Sequence, residues 1–201
     1  MKKEKYELNG KEIIIPIPEC YKDCMLLIKS DRYRHSGKME SSISIIIRNL
    51  KPYSFSLPFW LRLSQYKGWM WPLCRWRYLR ACRQANIILS PSTKIGYGLL
   101  IGHASPIVVN GKTIIGNNVN ISQFLSIGTN HQTPAIIGDN VYIGPNVCIV
   151  EDVKIGNNSS MGAGAIVNKD VPENATVAGA PAKVLSFDNP GRFVHRRFPI
   201  E

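Results

Sequence analysis

Two histidines stand in segments that otherwise read as strand. His103 lies in GLLIGHASPIVV and His131 in SIGTNHQTPAIIG. An imidazole titrates near neutral pH and can take a proton from a weak nucleophile, so each is a candidate general base. A lone histidine in an apolar strand is ordinarily a satisfied structural group, and the assignment needs support from the surrounding pattern. His35 and His195 lie outside that pattern and are expected at the surface. The five cysteines (Cys20, Cys24, Cys74, Cys82 and Cys148) are scattered, and Cys20 with Cys24 has no second pair at zinc-site spacing, so no metal is expected. The start MKKEKYELNGKEIII has no apolar core of a signal peptide, and no apolar run is long enough to cross a bilayer. Reduced thiols and a cytoplasmic protein are the expectation.

The elements that must position the histidines come from a repeat. An aliphatic residue returns every sixth position: Ile95, Ile101, Ile107; Ile115, Ile121, Ile127; Ile137, Ile143, Ile149; Ile155, Met161, Val167. Neither a helix nor a simple alternating strand has that period; a hexapeptide repeat does, and it folds as a parallel β-helix. Each trio makes one triangular coil, so four coils are predicted, with the repeat residue pointing inward. Glycines and asparagines such as Gly96, Gly116, Asn118 and Asn158 are expected at corners, where positive φ is tolerated. The longest interruption of the period is the segment holding His131, which predicts a protruding loop.

KIGYGLLIGHASPIVVN, IIGNNVNISQFLSIG, AIIGDNVYIGPNVCI and MGAGAIVNKDVPENATVAGAPAKVL resemble the left-handed β-helix acyltransferases of the hexapeptide family, in its serine acetyltransferase branch. The upstream pieces LLIKSDRYRHSGK and FWLRLSQYK are similar to the arms of members from capsule and exopolysaccharide pathways. The resemblance implies a mainly β fold: a left-handed parallel β-helix of about four coils with a mixed, helical N-terminal arm. It implies a homotrimer with active sites between subunits, and acetyl-CoA as acetyl donor without a metal. By position, His103 matches the catalytic histidine and His131 a second histidine near the acceptor. Ala163 and Gly164 would line the pantetheine groove; Gly179, Ala180 and Lys183 would lie near the nucleotide end. Three positions depart from the branch: Ile88 and Gly102 where acidic residues are usual, and Asn130 where arginine is usual. A serine zwitterion needs charged partners that glycine and an amide do not supply. An acceptor hydroxyl on a sugar of a surface polysaccharide, small or lipid-linked, is therefore expected, with L-serine as the alternative and a non-catalytic scaffold as the alternative of another class. With Ile88 in place of a carboxylate, a backbone carbonyl, Asn110 or Asn120 is expected to hold the His103 ring.

Charge divides the chain as the repeat does. Residues 1–94 hold 18 Lys+Arg against 7 Asp+Glu, whereas residues 95–201 hold 7 of each. The expected organisation is a basic, tryptophan-rich arm (1–86), the β-helix (87–185) and a tail (186–201). FWLRLSQYKGWMWPLCRWRYLRACR, Phe59–Arg83, holds all four tryptophans and reads as two short helices broken near Gly68 and Pro72. Its tryptophans are expected to cap the open end of the first coil; aromatic and basic residues together also suit a lipid headgroup layer, which would put the protein at the inner face of the membrane. No nucleic-acid reader motif is present, and no nucleic-acid partner is expected. EIIIPIPECY reads as a strand and turn, SDRYR as a contact to a subunit or acceptor, and the tail arginines Arg192, Arg196 and Arg197 as solvated.

Overall fold

The computed structural model describes residues 1–50, 56–103, 105–130 and 133–200. The arm opens with an antiparallel hairpin, β1 (Lys2–Leu8) and β2 (Lys11–Ile17). Asn9 and Gly10 turn it, with φ of 52° and 78°, the backbone that a two-residue hairpin requires. Only the second strand is evident from the apolar pattern; the Asn-Gly pair is the signal for the first. Four helices follow: α1 (Tyr21–Ser36), α2 (Ser42–Leu50), α3 (Ser56–Ser64) and α4 (Trp71–Ala85). The break between α3 and α4 falls where Gly68 and Pro72 predict it. Gly37, φ 71°, ends α1, and Asn86, φ 52°, ends α4, each in the left-handed region that closes a helix.

β3 (Ile87–Ile88) starts the solenoid. The first coil is β4 (Lys94–Ile95), β5 (Leu100–Ile101) and β6 (Ile107–Val109). The second is β7 (Ile114–Ile115), β8 (Asn120–Ile121) and β9 (Ser126–Gly128). The third is β10 (Ile136–Ile137), β11 (Tyr142–Ile143) and β12 (Cys148–Val150). The fourth is β13 (Lys154–Ile155), β14 (Ser160–Met161) and β15 (Ile166–Val167). β16 (Thr176–Ala178) adds one more parallel layer, and β17 (Lys183–Ser186) turns back antiparallel on it.

Stacking makes three flat faces. Face 1 is β4-β7-β10-β13, face 2 runs from β5 through β8, β11 and β14 to β16, and face 3 is β3-β6-β9-β12-β15. All twelve repeat residues point inward and none is more than 7% exposed. The register is the sequence period itself: Ile101 faces Ile121, which faces Ile143, which faces Met161. Each buried aliphatic side chain contributes roughly 1.5–3 kcal/mol, so the columns are a large part of what stabilises the prism.

The corner glycines act differently from the expectation. Gly96, Gly116, Gly138 and Gly156 do not adopt positive φ; a Cβ on any of them would lie 2.4–2.5 Å from an atom of the next coil. Close stacking excludes a side chain there. The left-handed positions are taken by Asn118, Asn140, Asn158 and Asn174 instead.

Two faces are covered by the chain itself. The hairpin lays Leu8, Ile13 and Ile15 on Ile114 of face 1, and Glu4 reaches Lys94 at 3.1 Å. On face 2 lie α1 and the tail, with Phe193 against Tyr142 at 4.7 Å and Phe198 stacked on Tyr97 at 5.7 Å. The tail docks through these rings while Arg192, Arg196 and Arg197 stay exposed; Arg197 donates to the carbonyls of Val194 and Gly191, and Arg196 to that of His35. SDRYR makes contacts within the chain. Asp31 and Arg62 are both 0% exposed and form a bidentate pair at 2.8 and 3.0 Å. Arg62 also donates to the carbonyls of Ile95 and Gly96, and Asp31 accepts from the Leu99 N–H. Arg34 donates to Gly98 O and Asn120 Oδ1. These charges seat the helices on the first coil.

Candidate active site

His103 lies just after β5, on the edge where face 2 turns into face 3. Gly102 N–H donates to Ile121 O, Ser122 N–H to Ile143 O, Gly144 N–H to Met161 O and Gly162 N–H to Val177 O. Gly102, Ser122, Gly144 and Gly162 therefore form one column, and the residues that follow them, His103, Gln123, Pro145 and Ala163, turn the same edge. Three strand spacings separate the first coil from the fourth, about 14 Å along the axis. Gly164 sits beside Ala163 with φ 72° and open space where a Cβ would be. The turn Gly179–Ala182 stacks on the same edge: Ile166 N–H donates to Gly179 O, and Ala182 N–H to Ile166 O. His103, Ala163, Gly164, Gly179 and Ala180 are all exposed on this one edge, and Lys183 is exposed at the start of β17.

The imidazole of His103 has no hydrogen-bond partner among the described residues; its backbone carbonyl accepts from Ser105 N–H at 2.8 Å. The two asparagines expected to hold it are engaged elsewhere. Asn120 binds Arg34 and the Phe193 carbonyl, and Asn110 Oδ1 accepts from Lys112 N–H. Ile88 is 65% exposed on face 3 and pairs with Val108, so no carboxylate comes from that position either.

His131 lies outside the described residues. The segment that contains it leaves from the opposite edge of face 3, between β9 and β10. Glu151 supports its start, accepting from Thr129 Oγ1 at 3.2 Å and from Asn130 N–H at 3.4 Å. Asn130 itself is exposed.

Face 3, between these two edges, is bare. Its outward column is Ile88, Val108, Ser126, Cys148 and Ile166, with Ile88, Val108 and Ile166 at 65%, 43% and 41% exposure. Among the described residues no group of three or more His, Cys, Asp or Glu could hold a metal ion.

Known proteins resemble this chain in sequence and fold. The family described as bacterial transferase hexapeptide (six repeats) matches residues 134–169. Serine acetyltransferase from Haemophilus influenzae is 32% identical over 107 residues, 51% of this chain and 40% of that protein. The mitochondrial serine acetyltransferase 3 of Arabidopsis thaliana is 42% identical over 105 residues, 50% of this chain and 27% of that protein. The chain thus spans half or less of the length of these curated relatives. Soybean serine acetyltransferase complexed with serine superposes with a TM-score of 0.62 at 28% identity, covering 81% of this chain and 69% of that one. Repeat period and stacked register accord with the hexapeptide match over residues 134–169, and over the solenoid the chain is similar to these serine acetyltransferases.

Proposed function

We propose that this chain is an acetyl-CoA-dependent O-acetyltransferase, with His103 as general base and His131 assisting near the acceptor. The observation that carries the reading is the shared edge: an exposed imidazole and a strip of small residues aligned along one corner. The strip around Ala163 and Gly164 has no side chains to obstruct a thin thioester arm and fits it, with Gly179, Ala180 and Lys183 toward the nucleotide end. Acetyl-CoA supplies an activated carbonyl. His103 takes the proton from the acceptor hydroxyl as that oxygen attacks the thioester carbon; the carbon–sulfur bond breaks and coenzyme A leaves as its thiol with the proton returned by His103, while the small residues hold the donor's arm close to the backbone.

Face 3 supports self-association as a homotrimer. It is the apolar face that the chain leaves uncovered, and its two borders carry His103 and the segment of His131. Closed threefold packing would bring one border against the other, on the next subunit. A single protomer holds these borders apart. Peripheral membrane contact of a cytoplasmic protein keeps some support from Trp69 and Trp76, which are 84% and 54% exposed, whereas Trp60 is buried in the cap. No described helix is long and apolar enough to cross a membrane.

L-Serine is the acceptor that the relatives' names favour. A sugar hydroxyl is the second reading; it is supported by the uncharged Gly102 and Asn130 on the two borders and by the exposed Ile88. Thiol release from acetyl-CoA, measured with serine and with a panel of sugars, tests both. Release with serine supports the first acceptor and release with a sugar the second. No release with any hydroxyl compound overturns the enzyme and leaves a scaffold.

A further inference from the structure

A groove at the open end of the solenoid has no part in the site described so far. A cavity of about 540 Å³ lies between α4 and β3, walled by Tyr78 and Ile88 and edged by Arg75 and Arg83. A second, of about 330 Å³, shares Arg75 and Ser90 with it and adds Lys67 and Trp71. No carboxylate lines either one, and the chain has none between Glu40 and Asp139. None of the side chains of Lys67, Arg75 and Arg83 is in a hydrogen bond or ion pair among the described residues. Arg62, a few residues away in sequence, is fully buried and paired with Asp31. Arg62 is thus neutralised where it is buried, whereas the three cations around the groove have no such partner among the described residues.

Place in the fold links this groove to acetyl transfer. β3 pairs directly with β6, Ile87 beside Ile107, and His103 lies on the corner that leads into β6. The groove therefore opens about one strand spacing, roughly 5 Å along the axis, from the layer of the candidate base. Its combined size suits a ligand larger than an amino acid, and Trp71 offers an aromatic surface to the face of a sugar ring.

We infer that this groove binds a phosphate-bearing acceptor, with Arg75, Arg83 and Lys67 around the phosphate. The inference rests on the O-acetyltransferase reading with its second acceptor, a sugar hydroxyl, and specifies that acceptor.

Direct binding in the absence of acetyl-CoA tests the groove separately from catalysis. Tryptophan fluorescence and calorimetry would be followed with glucose, glucose 1-phosphate, uridine diphosphate glucose, inorganic phosphate, and phosphatidylcholine vesicles with and without phosphatidic acid. The expected result is that a sugar phosphate binds at least about tenfold tighter than glucose, with affinity falling as salt rises. Arg75→Gln with Arg83→Gln should lose about tenfold or more, and Arg80→Gln, an exposed cation outside the groove, should lose little. Both variants should melt as the parent does, which sets folding aside. Preference for soluble esters assigns the phosphate to a free or nucleotide-linked sugar; preference for phosphatidic acid vesicles assigns it to a lipid. Equal binding of glucose and its phosphate, inorganic phosphate binding as tightly as glucose 1-phosphate, or no loss in the double variant would overturn the inference.

Discussion

Two edges of the same prism have opposite character. Where face 1 turns into face 2, the corner is filled and covered. Asn140 donates to Asn158 and Asn158 to Asn174, at 3.0 and 3.1 Å. Asn118 exchanges two hydrogen bonds with Phe198 of the tail, and the arm reaches Gly98 through Ser30 and Arg34. Where face 2 turns into face 3, the imidazole of His103 and the small residues Ala163, Gly164, Gly179 and Ala180 face outward at its two ends, Gln123, Phe124 and Pro145 stand between them, and no side-chain ladder forms. The same six-residue period builds both. An edge whose polar groups are paired by the chain's own arm and tail is structural. An edge left small, exposed and unpartnered has its contacts still to make. The contrast teaches that in a solenoid the repeat specifies the scaffold, and departures from uniform covering mark where ligands go.

The largest effect should come from the bare edge. His103→Ala is expected to lower kcat by about 10²–10⁴-fold while the melting temperature stays put, because the exposed ring stabilises nothing in the protomer. Retained acetyl transfer would remove the distinction between the edges.

Next in size is the arm's anchor. Asp31→Ala leaves the Arg62 guanidinium buried without its counter-ion, and a loss of about 3–5 kcal/mol is expected in denaturant unfolding. Asp31→Leu combined with Arg62→Met should cost much less, since both desolvated charges leave together. Equal losses would show that the helices are seated by something other than this pair.

A matched pair of substitutions sharpens the comparison further. Ala163→Trp should raise the KM for acetyl-CoA about tenfold or more with little change in stability. Asn158→Ala should do the reverse, costing about 1–2 kcal/mol through two lost ladder bonds at unchanged KM.

The smallest effect concerns pH at the covered face 1. Tyr6 donates to Glu4 at 2.7 Å, which holds the Glu4 carboxyl below its ordinary value against the opposing effect of burial. Burial first, and that hydrogen bond second, push Tyr6 up to about 12. A depressed carboxyl stabilises the fold above its unfolded pKa and loses this as pH falls through the folded one. A raised phenol stabilises below its unfolded pKa and loses it as pH climbs from 10 toward 12. Hairpin contacts should therefore weaken at both extremes, read as exchange of the Leu8 and Ile15 amides, and Tyr6→Phe should flatten the alkaline limb.

Much of the solenoid was legible in the residues. Twelve aliphatic positions predicted four coils and the structure buries every one, because a period of six admits few other ways to hide them. His103 was legible as a candidate through its interruption of an apolar run. Asp31 and Arg34 were not: a charged residue reads as solvated until a partner from a distant segment appears beside it. Asn120 was misread for the same reason, since Arg34, 86 positions away, claims its oxygen.

The amino-acid order alone determined the period and the inward columns and marked two histidines as candidates, because those depend on neighbours a few residues apart. Only the tertiary structure decided which faces the hairpin, helices and tail would cover. That outcome depends on contacts between segments far apart in the chain, and it left one apolar face, one edge of small residues and one cationic groove open.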